Sequence, residues 1–163
     1  MRISDYIQDS IVDGPGLRFV LFAQGCPHQC PGCHNPATHD PDGGREESEA
    51  DIINEMLRNK LTDGITLSGG EPFAQAKSCA VIARAAREAG LNVWSYSGYT
   101  LEELLASNDA DILELLSLTD VLVDGRFYLP ERTLNLKWRG SRNQRLISVP
   151  ESLAIRSAVL YDK

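Results

Sequence analysis

"LRFVLFAQGCPHQCPGC", residues 17–33, carries a short apolar run straight into three cysteines. The run at 17–23 is nearly continuous in apolar side chains, too short for a helix and flanked by glycine. It therefore reads as a strand buried on both faces, the kind found in parallel sheets. Cys26, Cys30 and Cys33 follow at once, in a loop whose Gly25, Pro27, Pro31 and Gly32 suit a tight wrap. The loop runs on to residue 44 through further turn formers.

Working outward, residues 46–61 place Ile52, Ile53, Met56, Leu57 and Leu61 at helical spacing behind an acidic first turn. A strand at 65–68 runs into "GGEP", and an Ala-rich helix over 76–90 stops at Gly90. A third strand spans 91–98, and 101–118 is helical with a break near Asn108. Strands at 120–125 and 145–149 follow, then a short helix and a frayed end from Glu151. Residues 1–12, ahead of the turn "DGPG" (13–16), receive no element. Strands alternating with long helices predict βαβ units. Five strands are too few for a closed eight-stranded barrel of ~250 residues. The expected fold is α/β: one domain over 1–163, a partial, open β/α barrel with a mainly parallel sheet.

Ligands gather at the C-terminal ends of strands in such folds. The cysteines, "GGEP", "SYSG" (95–98) and the Asp-Gly pair at 124–125 all sit at such ends and are expected to face one mouth.

No apolar run approaches the ~20 residues of a membrane span. The start "MRISDYIQDS" lacks the apolar core of a secretory signal, so the expected location is the cytoplasm. A net charge of −7 argues against a general affinity for nucleic acid. Residues 126–145 break the acidic trend, with Arg126, Arg132, Lys137, Arg139, Arg142 and Arg145 against Glu131 alone. They are either a solvated loop or a patch for an anionic group or acidic partner.

A reducing cytosol disfavours disulfides for the four thiols. Structural zinc takes four protein ligands, often as two C-x2-C pairs. Here the spacing is C-x3-C-x2-C with no second pair, and His28, His34 and His39 are the candidates for a fourth ligand. Cys79 shares a helix face with Ile82, Ala83 and Ala86, so it is expected in the core. The other reading is an iron–sulfur cluster held by three thiolates, one iron left open.

C-x3-C-x2-C after a first strand, with "SGGEP" (68–72) after the second, resembles the radical S-adenosylmethionine superfamily. "VDGPGLR" (12–18), "GCPHQCPGCHNPAT" (25–38), "VWSYSGYTLEEL" (93–104), "DVLVDGRF" (120–127) and "WRGSRNQRLI" (138–147) narrow the resemblance to the activating proteins of anaerobic class III ribonucleoside-triphosphate reductases. The resemblance covers nearly the whole chain.

It implies a [4Fe-4S] cluster on Cys26, Cys30 and Cys33, with S-adenosylmethionine on the open iron. It further implies a 5′-deoxyadenosyl radical that installs a glycyl radical on the large reductase subunit. Cofactor contacts are then expected from Gly32, Cys33, His34, Gly69, Gly70, Glu71, Ser95 and Ser97. Many superfamily members carry an aromatic residue where Gly32 stands, a departure that the activating proteins share. Arg139, Arg142 and Arg145 are expected to meet the partner or the cofactor carboxylate. A low-potential donor such as flavodoxin would supply electrons, and a homodimer is an assembly open to the chain. Rival readings are an activase of another glycyl-radical enzyme, a small-molecule radical enzyme resembling deazaguanine synthase, and a non-catalytic iron–sulfur or zinc protein.

Overall fold

A computed structural model describes residues 1–162. The apolar run after Gly16 is strand β2 (Arg18–Ala23), and five of its six residues are buried. Three more strands lie parallel to it, each entered from a helix: β4 (Gly64–Gly69), β5 (Asn92–Tyr96) and β6 (Val121–Asp124). This parallel block is the one the alternating pattern predicts.

Antiparallel strands flank it. β1 (Arg2–Ser10) pairs with β2, β3 (Arg45–Glu46) with β1, and β7 (Arg145–Ser148) with β6. The sheet order is β3-β1-β2-β4-β5-β6-β7, open at both ends. β7 runs antiparallel because only a three-residue 3-10 helix and loops, no α-helix, separate it from β6, and the chain returns without a crossover.

β1 and β3 have no counterpart in the expected elements. Register shifts between Ile3 and Asp5 and between Ile7 and Ser10 break the period-two alternation that would have marked β1.

Five helices complete the order: α1 (Glu49–Met56), α2 (Ala76–Glu88), α3 (Leu101–Ala106), α4 (Ala110–Leu118) and α5 (Val149–Ile155). Ser48 caps α1, which ends well before Leu61, a residue 77% exposed rather than packed as expected. Asn108 at φ +53° separates α3 from α4, and Asp109 caps the second piece. Gly90 at φ +80° follows α2.

Each strand presents alternate residues to two layers. Phe19, Leu21, Ile65, Leu67, Val93, Leu122 and Ile147 join the helices in the main core, with Cys79 among them. Trp94, Val121 and Val123 face the other way, toward Tyr96, Trp138, Leu146 and Tyr161. That second face is crossed by residues 126–144 and holds the candidate site.

Arg18, fully buried at the start of β2, closes the N-terminal end of this face. It donates from Nε to Thr66 Oγ1 (2.6 Å) and from Nη1 to Asn92 Oδ1 (2.8 Å), and it also bonds Ile65 O. Its guanidinium lies 5.5 Å from the Trp94 ring centre. Burial pulls its pKa down to about 10, still charged at neutral pH. Arg18→Ala should cost about 3 kcal/mol by stranding these acceptors. A thermal melt would show that as a fall of roughly 6–12 °C. An unchanged midpoint would rule out a stabilising role for this plug.

Candidate active site

The cysteine loop leaves β2 and is fastened at its base. The Gly25 amide donates to Thr38 O (2.8 Å) and that of Cys26 to His39 O (3.2 Å). The Gln24 side chain donates to Ala37 O and Asp40 O. Within the loop the Cys33 amide donates to Cys30 O (3.1 Å), turning the chain so that Cys26, Cys30 and Cys33 all line one cavity of about 840 Å3. All four cysteines are free, Cys79 alone being buried. Burial raises the Cys26 thiol above its ordinary pKa, so in the free protein it is protonated at neutral pH, and metal binding must displace that proton. Burial pushes Cys79 up to about 12, a thiol inert at neutral pH.

The strand ends converge as expected. Gly69 and Gly70 from β4, Ser97 and Gly98 after β5, and Gly125 after β6 line the same cavity. His34 and Arg139 join them. The glycines of "GGEP" have a reason beyond ligand access. A Cβ at Gly70 would lie 2.3 Å from Gly25 O, and one at Gly69 2.6 Å from the Phe22 and Ala23 backbone. Strand β4 and the start of the cysteine loop touch here with no room for a side chain.

Other expected site residues lie off the wall. Ser95 is fully buried and shares its strand face with Val93 of the main core, away from the cavity. Gly32, at φ +73°, is also off the wall, and a Cβ there would meet Leu129 Cδ1 at 2.8 Å. Leu129, from the segment after β6, thus occupies the space next to the third cysteine.

Glu71 is fully buried, and its carboxylate is taken up within the protein. It accepts from Ser97 Oγ (3.0 and 3.1 Å), the Gly98 amide (2.8 Å) and the Phe73 amide (3.1 Å). It also pairs with His28 Nε2 at 2.9 Å. Glu71 therefore ties the cysteine loop, the "GGEP" turn and the loop after β5 together, and it does not reach the cavity.

His28 is the residue that spacing arguments missed. Considered only as a fourth ligand, it instead packs edge-on against Tyr99, ring centres 4.4 Å apart. It also explains Gly98, where a Cβ would sit 2.3 Å from the ring. Phe127 and Trp138 are the other omissions. Phe127 lies against His34 at 5.2 Å, and Trp138 meets Trp94 edge-on at 5.0 Å while its carbonyl accepts from Tyr96 Oη (2.9 Å).

The basic segment divides. Arg145 is bound to Glu102 (2.7 Å) and to Asp124, and it holds the Glu102 carboxyl below the usual range. It is a tie between α3, β6 and β7, not a free contact. Arg126, Arg132, Lys137 and Arg142 are exposed and make no ion pair among the described residues.

Three thiols on one loop line a cavity beside a glycine-walled strand end, and the same wall carries His28, His34 and His39. Among the described residues, no group of three or more His, Cys, Asp or Glu is placed to hold a single metal ion. The sequence matches the model of a 4Fe-4S single cluster domain over residues 12–147. It is 38% identical over 152 residues to the anaerobic ribonucleoside-triphosphate reductase-activating protein of Vibrio cholerae, covering 88% of this chain and 96% of that one. The chain belongs to this family of activating proteins. The family member of Escherichia coli K12 is 36% identical over the same shares of the two chains. That of Enterobacteria phage T4 is 36% identical, over 84% of this chain and 87% of its own. No helix of the described residues is long and apolar enough to cross a membrane.

Proposed function

We propose that this chain activates an anaerobic ribonucleoside-triphosphate reductase as a radical S-adenosylmethionine enzyme. The observation that carries the proposal is the cavity wall, where three free thiols from one loop stand together beside the ends of β4, β5 and β6. Cys26, Cys30 and Cys33 hold the [4Fe-4S] cluster in this reading. When bound, the reduced cluster would supply one electron for reductive cleavage of the sulfonium–C5′ bond of S-adenosylmethionine, and the resulting 5′-deoxyadenosyl radical would be the hydrogen-atom acceptor for a glycine of the reductase.

The protein's own groups position and shield. Gly69, Gly70 and Ser97 line the cofactor space, while His34 and Phe127 form an aromatic wall next to the third cysteine. Trp138 and the segment around it cover the inner face of the sheet and limit water there. A low-potential donor such as flavodoxin supplies the electron in a reducing cytoplasm.

The cavity mouth supports a protein partner. Leu134 is 85% and Val12 72% exposed, both on the cavity wall, with Arg126, Arg132, Lys137 and Arg142 free nearby in sequence. An acidic reductase surface with an apolar anchor matches that pattern. The double charge reversal Arg126→Glu and Arg142→Glu should weaken the complex about tenfold, most clearly at low salt. Unchanged complex formation and activation would remove this face from the interface.

The deciding experiment is anaerobic reconstitution with iron and sulfide, followed by reduction with S-adenosylmethionine and the candidate reductase. Brown protein, 5′-deoxyadenosine and a glycyl-radical signal in electron paramagnetic resonance are expected. Colourless protein retaining one zinc would overturn the reading. 5′-Deoxyadenosine without a radical on the reductase would point to a different target.

A further inference from the structure

Residues 133–140 form a short closed loop on the cavity side of the sheet, and its neck is firmly held. The Thr133 amide donates to Gly140 O (3.0 Å), Arg132 and Ser141 bridge antiparallel, and the Arg142 amide donates to Glu131 O (3.0 Å). The Gln144 side chain fastens this neck to the end of β6. It accepts from the Gly140 amide (2.9 Å) and donates to Gly125 O (3.0 Å).

The tip is held far more lightly. Among the described residues, one hydrogen bond joins residues 134–138 to the protein outside the loop, from Tyr96 Oη to Trp138 O at 2.9 Å. The Trp138 ring rests against Trp94 beside it. Trp138 itself sits at φ +59°, in the left-handed region that a bulky side chain rarely adopts. Such backbone is costly and persists only where its surroundings hold it. Burial keeps the Tyr96 phenol above its ordinary pKa, so Oη remains a donor at neutral pH.

The tip also bears on access. Leu134, Leu136 and Trp138 line the cavity, and Leu134, 85% exposed, offers apolar surface to a partner at the mouth. A strained tip on a fixed neck, tied down by one hydrogen bond, is a part built to lift.

We propose that residues 134–138 are a strap latched shut by Tyr96, and that docking of the reductase lifts the strap to admit the glycine-bearing segment. The docking half rests on the function proposed above. An open strap lays Leu134 against the partner, the differential contact that drives such a shift.

Tyr96→Phe keeps the ring and removes the latch. Trypsin cleavage after the exposed Lys137 reads the open strap, because a protease needs free chain on both sides of the bond it cuts. Cleavage after the exposed Lys60 and Arg156 is the reference. On cluster-loaded protein without reductase, cleavage after Lys137 should rise about fivefold in the variant, the weight of one net hydrogen bond, with the reference sites unchanged. Affinity for the candidate reductase, measured anaerobically at equilibrium, should rise by a similar factor, because the variant has already made part of the opening that docking requires. If Tyr96→Phe does not load its cluster, the metal-free pair gives the same two comparisons. Cleavage after Lys137 that stays unchanged, or that rises equally at all three sites, would overturn the latch. Faster cleavage there without tighter binding would overturn the gating of the reductase. A wild type that does not bind the reductase overturns the gating together with the proposed function, and the cleavage result still decides the latch.

Discussion

Cys30→Ala is expected to abolish the cluster and, with it, all radical chemistry. Two thiolates on a surface loop cannot replace three, and the vacant ligand position would be filled by water or exogenous thiol on an oxygen-sensitive cluster. The fold should survive, because the loop is fastened by the Gly25–Thr38 and Cys26–His39 backbone bonds and Cys30 is only half-buried. Iron and sulfide analysis after reconstitution should fall to near zero, with the metal-free melting curve moved by no more than about 1 kcal/mol. Cys79→Ala is the matching control. It removes one buried sulfur from the helix-side core, costs about 1 kcal/mol and should leave iron content intact. A full cluster in Cys30→Ala, or a lost one in Cys79→Ala, would require a different ligand set.

The largest stability effect outside the core is expected at Glu71. Alanine there would strand the Ser97 hydroxyl, the Gly98 and Phe73 amides and the His28 ring in a site closed to water. Stranded buried donors and a broken buried pair together cost about 3–5 kcal/mol. The melting midpoint should drop by roughly 6–20 °C. Amide exchange at Gly98 should accelerate along with it, since its one acceptor among the described residues is gone. Glu71→Gln keeps the shape and one acceptor oxygen, so its loss should be about half as large. A Glu71→Ala protein with an unchanged midpoint and selectively weaker cofactor binding would return Glu71 to the role of direct ligand.

These two residues show where sequence reasoning reaches and where it stops. The cysteine spacing, the glycines at the end of β4 and the apolar helix face under Cys79 are local patterns, legible within a dozen residues of chain. So is the parallel block, since each of its strands is preceded or followed by a helix of clear period.

The role of Glu71 is not local. Its partners come from residues 28, 73, 97 and 98, and only the fold brings them to one carboxylate. Arg145 is similar: a cation in a basic stretch reads as free until Glu102 and Asp124 arrive beside it. Ser95 and Ser97 look alike in sequence, yet Ser95 lies within β5 and faces the helices, while Ser97 lies just past the strand's end, among the residues lining the cavity and with its hydroxyl on Glu71. β1 stayed hidden because its bulges interrupt the very alternation by which strands are recognised.

The edge-on contact of Trp94 and Trp138 has a practical consequence. The chain has two tryptophans, one fixed in the sheet and one on the segment that crosses it. Their near-ultraviolet emission and exciton coupling form a built-in optical gauge of that segment. Cofactor or reductase docking that shifts residues 133–140 by even a fraction of an ångström would be visible without any label.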